Sequence, residues 1–167
     1  MSKALENDNE DIRYSSLKLR NQLCFPIYAC SRVVVNNYRH LLRRIKLTYT
    51  QYITMMVLWE YKSLSLTEIG NYLFLDSGTL TPVLKQLEEQ NYIKRKQSRV
   101  DKRSIIFSIT EKGERLKEKA LTIPPDIAME MNLTSGEATQ LYNLLYKVMG
   151  GKTLEEANEG KYYKRQK

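Results

Sequence analysis

The chain has 167 residues, 42% of them hydrophobic and 28% charged, which is enough apolar material for one packed domain and excludes disorder throughout. Its formal net charge of +8 points to a polyanionic partner, a mild signal that gains weight only beside a suitable motif. No apolar run reaches the length of a membrane span and the opening MSKALENDNEDIR lacks the parts of a signal peptide, so a cytoplasmic protein without membrane contact is expected. Two cysteines and one histidine are too few for a disulfide framework or a metal site, and neither a metal nor any other cofactor is expected.

Taken in order, residues 1–13 read as a flexible acidic arm. From Leu17 to about Arg44 apolar residues recur at threes and fours (Leu23, Ile27, Cys30, Val34, Tyr38, Leu41), and Ile45 continues the series, so a helix is expected. Pro26 has no backbone N–H and crowds the carbonyl of Gln22, so this helix either starts near Cys24 or kinks there. The β-branched run Val33-Val34-Val35 lowers helix propensity, a deficit that packing, including packing against a partner subunit, has to offset. Thr48 or Thr50 can cap the next helix, roughly Gln51 to Tyr61. Ile53, Met55, Met56, Val57, Leu58 and Trp59 make it apolar on nearly every side, as suits the buried centre of a domain.

Ser65 with Glu68 forms an S-x-x-E capping box, so a short helix should begin at Leu66. After Phe74-Leu75, either Asp76 or Ser77 can cap another helix, in which Leu80, Val83, Leu84 and Leu87 make one apolar stripe. Two capped helices so joined are the pattern of a helix-turn-helix. Tyr92-Ile93 then leads into Lys94-Arg95-Lys96, a polar tip from Gln97 to Arg103, and the alternation of Ile105, Phe107 and Ile109 with Ile106, Ser108 and Thr110: a β-hairpin with a basic tip. Thr110 caps a helix to about Leu121, with Leu116 and Ala120 apolar, and Pro124-Pro125 interrupts it. Thr134 with Glu137 is a second capping box, opening a helix with Ala138, Leu141, Leu144, Leu145 and Val148 that ends at Gly150-Gly151.

The expected fold is mainly α with a small β-hairpin wing. The arm 1–13 precedes an N-terminal dimerisation and sensor helix (14–47), a winged helix-turn-helix (48–110), C-terminal dimerisation helices (111–150) and a flexible tail (151–167). The flanking helices carry more apolar surface than a monomer of this size can bury, which points to a homodimer. A two-fold dimer sets its recognition helices about one DNA turn apart and therefore matches an inverted repeat. Ser77, Thr79 and Thr81, with Lys85 and Gln86 further on, are the candidate groove and phosphate contacts. In the wing, Lys96, Arg99 and Lys102 are candidates for phosphates, and Arg103, oriented by Asp101, for a narrow A·T-rich minor groove. A charged hairpin tip alone is more often a solvated surface, and the adjoining helix-turn-helix is what reverses that reading.

LDSGTLTPVLKQLEEQNYIKR, followed by Asp101-Lys102-Arg103 in the wing, resembles the MarR family of dimeric bacterial transcription regulators. NQLCFPIYA, with Tyr38 and LTYTQY beyond it, is similar to the branch of organic-hydroperoxide-sensing repressors, and the resemblance spans about residues 17–128. It implies a non-enzymatic repressor that leaves its operator when an N-terminal cysteine is oxidised, with Cys24 as that cysteine and Tyr38 and Tyr49 bonding its sulfur. Two-cysteine members of the branch resolve with a cysteine near the C-terminal helices of the partner subunit. This chain has none after residue 30, so the resemblance implies the one-cysteine chemistry of a sulfenic acid followed by a mixed disulfide with a small cellular thiol.

The residues themselves are compatible with that role. Attack on an O–O bond needs a thiolate, and free N–H groups at a helix start, with phenol hydroxyls nearby, would stabilise one at Cys24. Tyr28, four residues on, shares its helical face. A free cysteine is otherwise most often a small buried hydrophobe, and Cys30 is expected to be such a core residue. Six residues of helix separate the cysteines by roughly 9 Å along the axis, and a bridge needs Cα atoms within about 7 Å, so an intrachain disulfide would require unwinding. His40 is expected at the surface. A regulator switched by a small phenolic or amphipathic ligand between the dimer helices and the DNA-binding lobe stands as an alternative, as does a broader thiol-stress or virulence regulator. A thiol peroxidase ranks lower, because no Arg and Thr set for peroxide activation accompanies Cys24.

Overall fold

The structure, a computed structural model, describes residues 13–98, 102 and 104–150. The expected arm up to residue 12, the wing-tip residues Arg99, Val100, Asp101 and Arg103, and the tail 151–167 lie outside the described residues. The described residues fall into two compact units, one up to Tyr38 and one from Arg39 onward, and helix α1 (Cys24–Arg43) runs across the division.

In the N-terminal unit two short 3₁₀ turns, Ser15–Leu17 and Leu19–Asn21, precede α1, so the helix expected from Leu17 begins only at Cys24. Pro26 then occupies the first turn, where backbone N–H groups have no helical partner and a missing one costs nothing. Leu23 (73% exposed), Tyr28 (57%) and Val33 (59%) face outward, because among the described residues of this unit one helix and two turns have nothing else to cover them.

The second unit is built on α2 (Tyr49–Tyr61). Thr48 caps it in a full capping box, accepting from the Gln51 N–H at 3.4 Å while the Gln51 side chain accepts from the Thr48 N–H at 2.8 Å. Tyr52, Thr54, Met55, Leu58 and Trp59 are buried, as expected of a central helix, whereas Met56 is 45% exposed. A helix apolar all round buries only the faces its neighbours reach, and Met56 lies on the one left open.

A strand that periodicity did not predict, β1 (Ser63–Ser65), follows directly. Next come α3 (Leu66–Leu73), capped by Ser65 and Glu68 as expected, and α4 (Ser77–Glu89), capped by Asp76 rather than Ser77. The hairpin of β2 (Ile93–Gln97) and β3 (Ile105–Ile109) is widened by β1 into a three-stranded antiparallel sheet, order β1-β3-β2, in which Leu64 pairs with Phe107 and Arg95 with Phe107 from the other side. Leu41, Leu42, Met55, Leu58, Ile69, Leu80, Leu84, Leu87 and Ile93 are all at most 2% exposed and form the core beneath it.

Helix α5 (Glu111–Ala120) is capped by Thr110 and held by the Trp59 indole, which donates to the Gly113 carbonyl at 2.8 Å. The helix stops at Ala120 as expected, and Pro124-Pro125 then lie in the first turn of a further helix that was not expected, α6 (Ile123–Met131). Arg44 and His40 reach its Asp126 and Glu130 at 3.1 and 3.0 Å. Helix α7 (Ser135–Val148), opened by the Thr134–Glu137 box, buries no residue, and Leu144 and Val148 are 61% and 64% exposed. No helix among the described residues is long and apolar enough to cross a membrane.

The cap of α4 carries a pH signature. Hydrogen bonds from Thr79, backbone first and then hydroxyl, hold the Asp76 carboxyl below its ordinary 3.8. A depressed carboxyl contributes stability that is fully present above its unfolded value and fades as pH falls through the folded one. Asp76→Asn keeps a cap without a charge, so urea melts should show wild type gaining on it between pH 3 and pH 7. A constant difference across that range would remove the carboxylate's role.

Candidate DNA interface and cysteine site

Helix α4 buries Leu80, Leu84 and Leu87, so its 3.6-residue period turns Gly78, Pro82, Lys85 and Glu89 outward, and all four are exposed. Gly78 and Pro82 were not among the residues expected to meet DNA, although plotting the stripe would have shown them opposite the core. Pro82 lacks an N–H, so the Gly78 carbonyl has no i+4 donor on that face.

The expected polar contacts are brought to this helix, but several are already engaged. The Thr79 hydroxyl donates to Asp76 at 2.9 Å and the Thr81 hydroxyl to the Ser77 carbonyl at 2.6 Å. A hydroxyl has one proton, so in this arrangement both threonines offer only acceptors. Ser77 is exposed at the first helical position, and Lys85 pairs loosely with Glu89 at 3.9 Å. The side-chain carbonyl of Gln86 accepts from the Gln51 amide at 2.9 Å.

In the wing, Lys94 and Lys96 are exposed on one face of β2 while Arg95, on the other, turns to Glu88 of α4 at 3.2 Å. The hairpin closes through Ser98 N–H to the Ser104 carbonyl at 2.8 Å, and Gln97 donates to the Lys102 carbonyl at 2.5 Å, leaving Lys102 exposed at the tip. Arg99, Asp101 and Arg103 lie outside the described residues. A groove of about 600 Å³ runs between the start of α3, α4 and the wing, lined by Ser65, Thr81, Lys85, Glu88, Arg95 and Phe107 among others.

Cys24 is the first residue of α1 and is exposed. Tyr28 follows one turn later, its hydroxyl accepting from Arg32 at 3.2 Å and its ring 5.7 Å beneath the same guanidinium. Cys30, expected in the core, is exposed, because the described residues of its unit place no second layer over it. Tyr38 stands fourteen residues from Cys24 on the same helix, roughly 21 Å along its axis at 1.5 Å per residue. The grouping of Cys24 with Tyr38 therefore fails within one chain. Tyr49 is half-buried at the first position of α2, and burial pushes its phenol above the ordinary 10.0. A phenol so shifted is protonated at neutral pH and can donate a hydrogen bond.

Three comparisons bear on these features. The family described as transcriptional regulator SarA/Rot matches residues 37–120. The organic hydroperoxide resistance transcriptional regulator of Bacillus subtilis is 44% identical over 147 residues, covering 87% of this chain and 98% of that one. AbfR of Staphylococcus epidermidis superimposes with a TM-score of 0.67 at 34% identity, covering 83% of this chain and 95% of its own. Reduced AbfR bound to DNA gives 0.68 at 32% identity, covering 83% and 96%.

Proposed function

This chain belongs to the MarR/SarA family of DNA-binding transcriptional regulators, on the branch of the organic-hydroperoxide regulators, and from that membership we propose that it is a homodimeric repressor that senses organic hydroperoxides through Cys24 and then releases its operator. The observation that carries this reading is Cys24 itself, exposed in the first turn of α1. The regulator from B. subtilis bears organic hydroperoxide resistance in its name, and AbfR is known in reduced form on DNA. As a reader of DNA the protein works in the cytoplasm.

The chemistry balances with two reactants. The Cys24 thiolate attacks the terminal oxygen of the hydroperoxide, the O–O bond breaks, and the alcohol leaves with a proton while sulfur, oxidised by two electrons, becomes sulfenic acid. A small cellular thiol then displaces that oxygen as water and forms a mixed disulfide. Tyr28, Tyr38 and Tyr49 donate hydrogen bonds to the thiolate. Since one helix holds Cys24 and Tyr38 apart, Tyr38 of the partner subunit serves each sulfur, across a two-fold pairing that also covers the exposed faces of α1 and α7.

On DNA, α4 enters the major groove with Ser77, Thr79, Thr81, Lys85 and Gln86 along it, and the two-fold matches an A·T-rich inverted repeat. Lys96, Arg99 and Lys102 lie on phosphates, and Arg103, oriented by Asp101, enters the minor groove. An adduct at Cys24 breaks the tyrosine hydrogen bonds and re-sets the half-site spacing.

The test is fluorescence anisotropy on an A·T-rich inverted repeat, first with reduced protein, then with cumene hydroperoxide and a small thiol. Tight reduced binding that is lost on oxidation and restored by reductant is expected. Binding indifferent to the oxidant would move the switch to a small ligand.

A further inference from the structure

Gln51 is 4% exposed, one of two buried polar side chains of the described core, and both ends of its amide are used. The Thr48 N–H can only donate, so the atom facing it at 2.8 Å has to be the Gln51 carbonyl oxygen. The Gln51 amino group must then point the other way, to Gln86 at 2.9 Å, where only a carbonyl oxygen can receive it. The capping box at the start of α2 thereby sets the orientation of an exposed amide on the recognition helix. With its oxygen bound to Gln51, the exposed Gln86 keeps its amino group as the end left to meet a ligand.

We propose that Gln51 is a positioning residue for base recognition: it holds Gln86 as a donor, which suits the acceptor edges of guanine and thymine and disfavours the paired donor-and-acceptor contact that glutamine makes with adenine. This rests on the reading that α4 docks in the major groove. A free glutamine on a helix could turn over to suit either edge. Here the turn is blocked, because reversing Gln86 would set two amino groups against each other, and reversing Gln51 as well would set an amino group against the Thr48 N–H.

Gln51→Glu separates the effects. A glutamate serves the capping box as well as glutamine does, but it has no proton to give, so Gln86 turns over to donate inward and presents its oxygen to DNA. On duplexes selected by reduced wild-type protein from a randomised library, Gln51→Glu is expected to lower affinity about three- to tenfold, the worth of one hydrogen bond. In a Gln86→Ala background the same change should cost less than about twofold, since Gln51 acts through Gln86. Repeated selection with Gln51→Glu should shift one position per half-site from guanine or thymine towards adenine or cytosine. Gln86→Ala alone, which leaves the capping box intact, should erase the preference there. An equal cost of Gln51→Glu in both backgrounds, or a preference unchanged in Gln86→Ala, would overturn the proposal. Failure of wild type to enrich any duplex would instead overturn the docking of α4 on which it rests.

Discussion

Cys24→Ser protein is expected to bind the reduced-state operator as wild type does and to stay bound when cumene hydroperoxide and a small thiol are added. Wild type under the same treatment should weaken by about ten- to a hundredfold, the usual range for coupling between a sensor and a binding site. A serine hydroxyl is not ionised at neutral pH and has no accessible oxidised states, so the variant keeps the shape of the site and loses only its chemistry. Cys30→Ser is the necessary companion, because Cys30 is exposed too. Release retained in Cys30→Ser and lost in Cys24→Ser places the sensor at the start of α1. The opposite pair of outcomes transfers the role to Cys30, and release retained in both transfers it to a ligand.

Gly113→Ala should damage the fold more than any surface change. A Cβ at this position would stand 2.2 Å from the Tyr92 carbonyl oxygen and 2.8 Å from Ile109 Cγ1, and the Tyr92 backbone cannot yield that far. Helix α5 would have to lift from the end of β2, carrying away the carbonyl that receives the Trp59 indole. Overpacking together with a buried donor left unpaired costs about 3 kcal/mol or more, which for a chain of this length lowers the melting temperature by roughly 6–12 °C. Thermal denaturation followed by circular dichroism measures it, and a melting temperature within about 2 °C of wild type would refute the close contact. Gly70, whose Cβ would meet the Leu75 carbonyl at 2.7 Å, is the analogous position at the turn into α4.

Features that depend on near neighbours along the chain are legible from the residues alone. The boxes of Ser65 with Glu68 and Thr134 with Glu137 join groups three residues apart, and both form as read. The apolar stripe of α4 and the alternation of β3 likewise encode their own period, which is why the winged helix-turn-helix could be placed. What escaped has an equally physical origin. Strand β1 is three residues long, too short to show a period, and exists because Leu64 finds Phe107 far along the chain. Helix α6 was hidden by Pro124-Pro125, since a proline pair ends one helix and begins another with the same local preferences, and only packing of Ile123 and Ile127 chooses.

The candidate site divides in the same way. Sequence by itself determined the apolar stripe of α4 and the alternation of the basic hairpin, and it narrowed Cys24 to a helix start or a kink, because propensity, capping and charge are properties of short segments. Only tertiary structure decided that Gln86 is locked by Gln51 from another helix, and that the Trp59 indole finds the Gly113 carbonyl. Those outcomes depend on which group meets which across space, and a hydrogen bond has one proton to give and one direction to give it in.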